Sequence, residues 1–440
     1  MTHTSATDDR ILVAGGGIGG LATALSLSRA GRHVVVLERA SELQEFGAGI
    51  QLAPNAFHAL HRLGIDRRAL DQAIFVDRLR LMDAMTADEV ISVDLGTTFR
   101  QRFGYPYAVI HRGDLHNVLI DACREASGID IRTDSNVLGY KETGGDVLVR
   151  LDGGAVVRGT ALIGADGIWS RVRRAMLGDA PPRVPGHTTF RSVIPIEAMP
   201  EELRWNDAVL WAGDKCHIVH YPLSDYQLFN FAITAHNGAM EAVSGAPASQ
   251  DEVERTFAHV HDTVRSIIRH GRDWKRWVLC DRDPTHLWVD GRVALLGDAA
   301  HPTLQYLAQG ACMALEDAVC LGDAMRFFGD DVEAALLAYR DLRVPRAAEI
   351  VLRSRGMGEH VYHPSGRRAA LRDEILRAQS SVDLHEKVAW LYEGGRESEH
   401  VFARNPHGFR SKNAINPAEK SVLEMSTIDD APQSAAKAKQ

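Results

Sequence analysis

The chain has 440 residues, 45% of them hydrophobic and 25% charged, with a formal net charge of -8 at pH 7. This composition excludes wholesale disorder, and the length allows two or three domains whose cores need no disulfide or metal staples. The mild acidity argues against a nucleic-acid partner, which would demand a basic face to meet phosphates. From the N-terminus, Ile11 to Ser28 carries no charge between Arg10 and Arg29, an extent that invites a membrane-spanning reading. Gly15, Gly16, Gly17, Gly19 and Gly20 would weaken a bare helix there, and the acidic flank lacks the basic start of a secretory signal. The expectation is a soluble, cytoplasmic chain with no integral membrane segment.

Ile11–Ala14 reads as a short buried strand, Leu21–Ala30 as a helix closed by Gly31, and Val34–Leu37 as a second buried strand ending at Glu38. Together they make a βαβ unit with a parallel sheet. Ala161–Gly164 and Val293–Leu296 read as further strands of that sheet, each running into a small residue and then an aspartate, Asp166 and Asp298. Ligands of open α/β sheets lie at such strand ends. Between them, Thr188–Ile196, Ala208–Ala212, Cys216–Leu223 and Gln227–Ala235 read as antiparallel strands, followed by one amphipathic helix over Ser249–His270.

The pattern after residue 310 is helical, through Asp331–Leu342 and Ala369–Leu376, and beyond about 404 it is a polar tail. The expected class is α/β: a Rossmann-like nucleotide-binding domain with an inserted antiparallel-sheet substrate domain and a helical C-terminal region. The boundaries are 8–75, 105–178 and 286–330 for the nucleotide domain, 76–104 and 179–285 for the substrate domain, 331–403 for the helical region and 404–440 for the tail. Cys123, Cys216, Cys280, Cys312 and Cys320 form no CxxC pair and the histidines no HExxH pair, so reduced thiols and no metal are expected.

Gly15, Gly17 and Gly20 form GxGxxG directly after the first strand. The first glycine permits a tight turn, the second lets backbone approach a pyrophosphate, and the third permits close packing. The helix N-terminus then offers unpaired N–H groups to phosphates. Glu38 lies eighteen residues after Gly20, where a carboxylate accepts hydrogen bonds from a ribose diol. A glycine turn with a solvated Glu is the alternative, and the βαβ setting argues against it. An adenine dinucleotide follows, but NAD and FAD share the motif.

Two later segments narrow the choice by resemblance. Gly164-Ala165-Asp166-Gly167-Ile168-Trp169-Ser170-Arg171 resembles the DG motif of FAD-dependent aromatic hydroxylases, the single-component flavoprotein monooxygenases, and Leu296-Gly297-Asp298-Ala299-Ala300-His301-Pro302 resembles their GD motif. With GxGxxG and His111-Arg112-Gly113-Asp114, the resemblance spans about residues 8–400. It implies FAD as cofactor, NADH or NADPH as electron donor and O2 as co-substrate. It also implies that Gly297 and Asp298 meet the ribityl and phosphate region, that Arg112 touches FAD, and that Asp166 serves FAD and the nicotinamide. Many relatives carry GQGxNQ where this chain has Ala308-Gln309-Gly310-Ala311-Cys312-Met313, so backbone amides near Ala311 are left to face the flavin without the Asn and Gln side chains.

The segments Thr303-Leu304-Gln305-Tyr306-Leu307 and Cys216–Leu223 resemble the 3-hydroxybenzoate 6-hydroxylase branch more than the salicylate 1-hydroxylases. That likeness places His217 and Gln305 beside the substrate phenol as catalytic residues, with Tyr107 and Tyr221 as substrate-binding tyrosines. Strand alternation independently puts His217, Val219 and Tyr221 on one face and Cys216, Ile218 and His220 on the other. A lone strand histidine is more often satisfied by neighbours than catalytic, and the resemblance is what tilts this one. Its near-neutral pKa would suit proton abstraction from a phenol.

The implied reaction is para hydroxylation of a small aromatic acid, 3-hydroxybenzoate to gentisate, through a flavin C4a-hydroperoxide. A decarboxylating salicylate 1-hydroxylase, a nicotinamide-dependent dehydrogenase and a non-catalytic flavin-binding module are the alternatives. A homodimer is the default for a soluble oligomer.

Overall fold

A computed structural model describes residues 9–44 and 48–404, so the expected tail beyond 404 lies outside the described residues. Strand Arg10–Ala14 pairs in parallel with His33–Leu37 on one side and Ala161–Gly164 on the other. Val293–Leu295 extends the six-stranded sheet beyond Ala161–Gly164, Ile129–Arg132 closes the opposite edge, and Val289–Asp290 adds an antiparallel margin. All four core strands are buried apolar runs, as a parallel sheet covered on both faces requires. The register decides where the site lies. Ala14 stands opposite both Leu37 and Gly164, and Gly164 opposite Leu295, so the phosphate turn, Glu38, Ala165 and Gly297 emerge at one sheet edge.

Helix Ile18–Arg29 follows the turn and is buried nearly all round, which fits its lack of charge. It packs against helix Gly310–Phe328 so closely that a Cβ on Gly322 would overlap Ser26. The uncharged N-terminal stretch is therefore core, and no described helix is long and apolar enough to cross a membrane.

The second sheet has eight strands. Cys216–Leu223 lies between Asp207–Gly213 and Leu228–His236, both antiparallel to it, and His187–Pro195 continues beyond Leu228–His236. The sheet is mixed, because Arg78–Asp83 joins Asp207–Gly213 in parallel. One face buries Ile218, Phe229 and Phe231 against helices Gln250–Thr256 and Asp262–Arg269. These two helices replace the single one expected over Ser249–His270. Ser249 and His261 each cap a separate start, at Glu252 N and Thr263 N, and the His261 N–H donates to Ala84 O, which turns the chain between them.

Helix Val332–Met357 runs past the expected end at Leu342 and through Pro345. Proline in a helix interior costs a backbone hydrogen bond. Arg343 and Arg346 flank it and are anchored in buried ion pairs, so tertiary contacts hold the helix where local propensity would stop it. A π-turn, Gly358–Tyr362, then brings the chain back toward the second sheet.

Candidate active site

A cavity of about 730 Å³ runs from the phosphate turn to the inner face of the second sheet, bordered by Gly15, Glu38, Arg112, Asp298, Arg191 and His217 among others. Its first end is built from backbone. Gly15 has a φ of 105°, and a Cβ there would overlap Ala165 O. A Cβ on Gly20 would overlap the Gly15 carbonyl, so both positions accept only glycine. The Gly16 N–H donates to Glu38 Oε2 at 2.7 Å and the Ala40 N–H to Glu38 Oε1 at 2.9 Å, fixing the carboxylate beside the turn. His116 Nε2 lies 2.7 Å from Gly16 O, while its Nδ1 is buried without a partner. A glycine cradle closed to any Cβ, with a carboxylate at its side, fits the pyrophosphate and ribose of an adenine dinucleotide.

The middle of the cavity is formed by Gly297, Asp298 and the start of helix Gly310–Phe328, including Gly310 and Ala311. A buried charge cluster sets this wall. Asp317 accepts from the Gly297 N–H at 3.1 Å, lies 2.5 Å from His301 Nε2 and pairs with Arg343 Nε at 2.7 Å. Glu316 binds Arg343 at 2.8 Å and Arg346 at 2.7 Å, and accepts from Asn55 at 2.6 Å. Burial would raise the Glu316 carboxyl, but Arg346 and Arg343 hold it down to about 2. Asp317 is likewise opposed by burial and held at about 2 by His301 and Arg343. One carboxylate thus ties the loop carrying Asp298 to the C-terminal helices.

The far end is built from side chains. His217 is 1% exposed. Gln305 lies across from it, its amide nitrogen 3.3 Å from His217 Nε2, 2.8 Å from Thr234 Oγ1 and 3.3 Å from Thr189 Oγ1. Arg191 donates to Gln305 Oε1 at 3.5 Å, and burial lowers its affinity for a proton. Val219 and Tyr221 line the same wall, while Cys216 and Ile218 face the opposite core, matching strand alternation. Burial pushes the Tyr221 hydroxyl upward, with Arg191 opposing, so the phenol stays protonated and able to donate.

The family described as FAD binding domain matches residues 8–354. The chain belongs to this family. It is an FAD-dependent aromatic monooxygenase. 3-Hydroxybenzoate 6-hydroxylase 1 of Aquipseudomonas alcaligenes is 49% identical over 390 residues, spanning 89% of this chain and 98% of that protein. The 3-hydroxybenzoate 6-hydroxylase of Klebsiella oxytoca is 43% identical over 395 residues, spanning 90% and 99%. Among solved structures, a salicylate hydroxylase substrate complex superposes with a TM-score of 0.75 at 26% identity, covering 90% of this chain and 98% of that one. Klebsiella pneumoniae HpxO with FAD and uric acid gives a TM-score of 0.75 at 25% identity, covering 87% and 96%.

In this monooxygenase Gly15, Gly17, Glu38, Arg112, Asp166, Gly297, Asp298, Ala311, His217, Tyr221 and Gln305 all border one cavity. Gly20 stands behind it as a packing position. Three expectations change on closer view. Tyr107 does not line the cavity: it is buried behind Gln51, whose Oε1 accepts its hydroxyl at 2.5 Å. The Asp166 carboxylate is taken up by its own loop, accepting from Ser170 Oγ at 2.5 Å and the Arg171 N–H at 2.7 Å. It therefore caps helix Arg171–Leu177 at the cavity edge. His217 does not keep a near-neutral pKa, since burial and then the facing His363 and His187 push it well down. The sequence reading also missed Arg191, Gln51, Tyr362 and His363. Only Arg191 left a local trace, as a charge in phase with Thr189 inside strand His187–Pro195.

Proposed function

We propose that this monooxygenase hydroxylates 3-hydroxybenzoate at the carbon para to its hydroxyl, giving 2,5-dihydroxybenzoate, with NADH or NADPH as electron donor and O2 as co-substrate. The observation carrying this reading is the pair of buried His217 and half-buried Gln305, with Arg191 in reach of Gln305 on the same cavity wall. The names of the A. alcaligenes and K. oxytoca relatives support it.

Bound FAD, once reduced, supplies the activated oxygen. The protein holds the ring and enriches it in electrons. His217 is neutral at physiological pH because burial disfavours its charged form, so a lone pair at Nε2 meets the substrate hydroxyl. Proton removal there loads the ortho and para carbons. Gln305, held by Thr234 and Thr189, fixes the phenol oxygen against rotation. Arg191 offers two parallel N–H donors to the carboxylate, and Tyr221 a hydroxyl beside it. With the hydroxyl held at His217 and Gln305 and the carboxylate at Arg191 and Tyr221, the ring would be held in one orientation within the cavity.

His217→Ala is expected to slow hydroxylation by about 100-fold or more while flavin stays bound and reducible. Hydroxylation at the parent rate would remove His217 from the mechanism. A panel of hydroxybenzoates with product analysis tests the substrate: gentisate from 3-hydroxybenzoate supports the reading, and catechol from salicylate assigns the decarboxylating reaction.

A further inference from the structure

Deprotonating a phenol inside a closed cavity leaves a proton that must go somewhere. His217 is 1% exposed, and a proton kept on it would be a buried charge beside Arg191. Behind it, His217 Nδ1 lies 2.7 Å from Nε2 of His363, with the two rings stacked at 5.0 Å and 26°. His363 follows the π-turn of the C-terminal region, does not line the cavity and is partly exposed.

The role given to His217 Nε2, with the contact behind it, sets which nitrogens carry protons. The Gln305 amide nitrogen has two hydrogens for three neighbours, Thr234 Oγ1, Thr189 Oγ1 and His217 Nε2, and for His217 to take the phenol proton its Nε2 must be bare. A neutral His217 then carries its proton on Nδ1, donates to His363 Nε2, and leaves His363 protonated at Nδ1. This alignment transmits a proton outward. We infer that His363 relays the substrate's phenolic proton from His217 to solvent, an inference that rests on the substrate hydroxyl being bound at His217.

The transfer balances without any redox partner. The phenol O–H bond breaks as an N–H bond forms at His217 Nε2. The His217 Nδ1–H bond breaks as one forms at His363 Nε2, and the His363 Nδ1 proton passes to water. Both rings end neutral in exchanged tautomers, and when His217 Nε2 protonates the product phenolate, the His363 Nε2 proton returns to His217 Nδ1 and a water proton enters at His363 Nδ1, which restores the starting pattern.

The groups around His363 favour passage over storage. His187 packs edge-on at 5.3 Å and His236 stands beyond it, and after burial both lower His363's hold on a proton, to about 3. Tyr306 also packs against His363 but its hydroxyl is engaged with His187 Nδ1 at 2.6 Å, and Tyr362 packs against His217. The carboxylate in this neighbourhood, Asp281, acts on His187 and is paired with Arg183 and Arg355.

The test uses the FAD-loaded enzyme mixed with 3-hydroxybenzoate in weakly buffered solution holding a pH indicator. The parent is expected to release a proton as the bound acid acquires its phenolate absorbance. His363→Gln keeps an acceptor for His217 Nδ1 but cannot pass a proton. It is expected to bind the acid with unchanged affinity while release slows by about tenfold or more, with added imidazole restoring the rate. Proton release by His363→Gln at the parent rate, or slowing that imidazole does not relieve, would overturn the relay. If the parent forms no phenolate and consumes no 3-hydroxybenzoate, the functional reading falls and the relay with it.

Discussion

The two ends of the cavity are made by different means. At the phosphate turn, specificity comes from backbone shape: Gly15 and Gly20 leave no room for a Cβ, and Glu38 is locked by amides within two residues of itself and by the turn. At the substrate end, His217, Gln305 and Arg191 come from separate strands and a loop, and His363 from a region still further along. Backbone shape recognises what all dinucleotides share. Side chains gathered from distant segments suit the recognition of one particular ring, as proposed above. The first end tolerates almost no substitution and is built on a short local motif backed by the Ala165 carbonyl, whereas the second allows its chemistry to be retuned without disturbing the fold.

Substitutions at each end would break this contrast or sharpen it. Gly20→Ala should give the largest effect, since its methyl would overlap Gly15 O: the purified protein should be colourless, by absorbance in the visible flavin band. Glu316→Ala strips the wall behind helix Gly310–Phe328 of a carboxylate shared by two buried arginines. It should cost about 3–5 kcal/mol in chemical denaturation.

The same cluster predicts an acid limit. Glu316 and Asp317 are held at about 2 in the fold, below the usual carboxyl values of about 4. Their stabilisation is therefore present above about pH 4–5 and drains as pH falls through 4 toward 2, which an acid titration of unfolding would follow. At the substrate end, Arg191→Met should raise KM for the aromatic acid by roughly 10–100-fold, the loss of a charged hydrogen-bond pair, with flavin content unchanged. Tyr107→Phe should change turnover by only about two- to fivefold, because its hydroxyl reaches the cavity through Gln51.

What was legible in the residues follows the same division. The βαβ unit, the glycine turn, Glu38 and the two later aspartate-bearing strand ends were readable because each is a local pattern with a fixed spacing. The face of His217 was readable from alternation alone. Depth was not: Tyr107 and Tyr221 both matched pocket tyrosines, yet only packing behind Gln51 separates them. Histidine pKa was not readable either, because burial and His363 are tertiary facts. The break in 249–270 and the continuation through Pro345 were missed for opposite reasons, tertiary contacts ending one helix and prolonging the other.

The strand order of the nucleotide sheet also sets a timetable. Strand Arg10–Ala14 leaves the ribosome first, but Ala161–Gly164 and then Val293–Leu295 must follow before that side of the sheet is complete. At about 5–20 residues per second, roughly 15–60 s separate the first strand from the last. Ile11–Ala14 gains its second neighbour only when Ala161–Gly164 emerges, and from then until residue 293 Ala161–Gly164 itself presents an apolar edge open to any other strand. Acquisition of the flavin is therefore an event of late synthesis. Slow translation upstream of residue 293 should favour aggregation over coloured protein, whatever the stability of the finished fold.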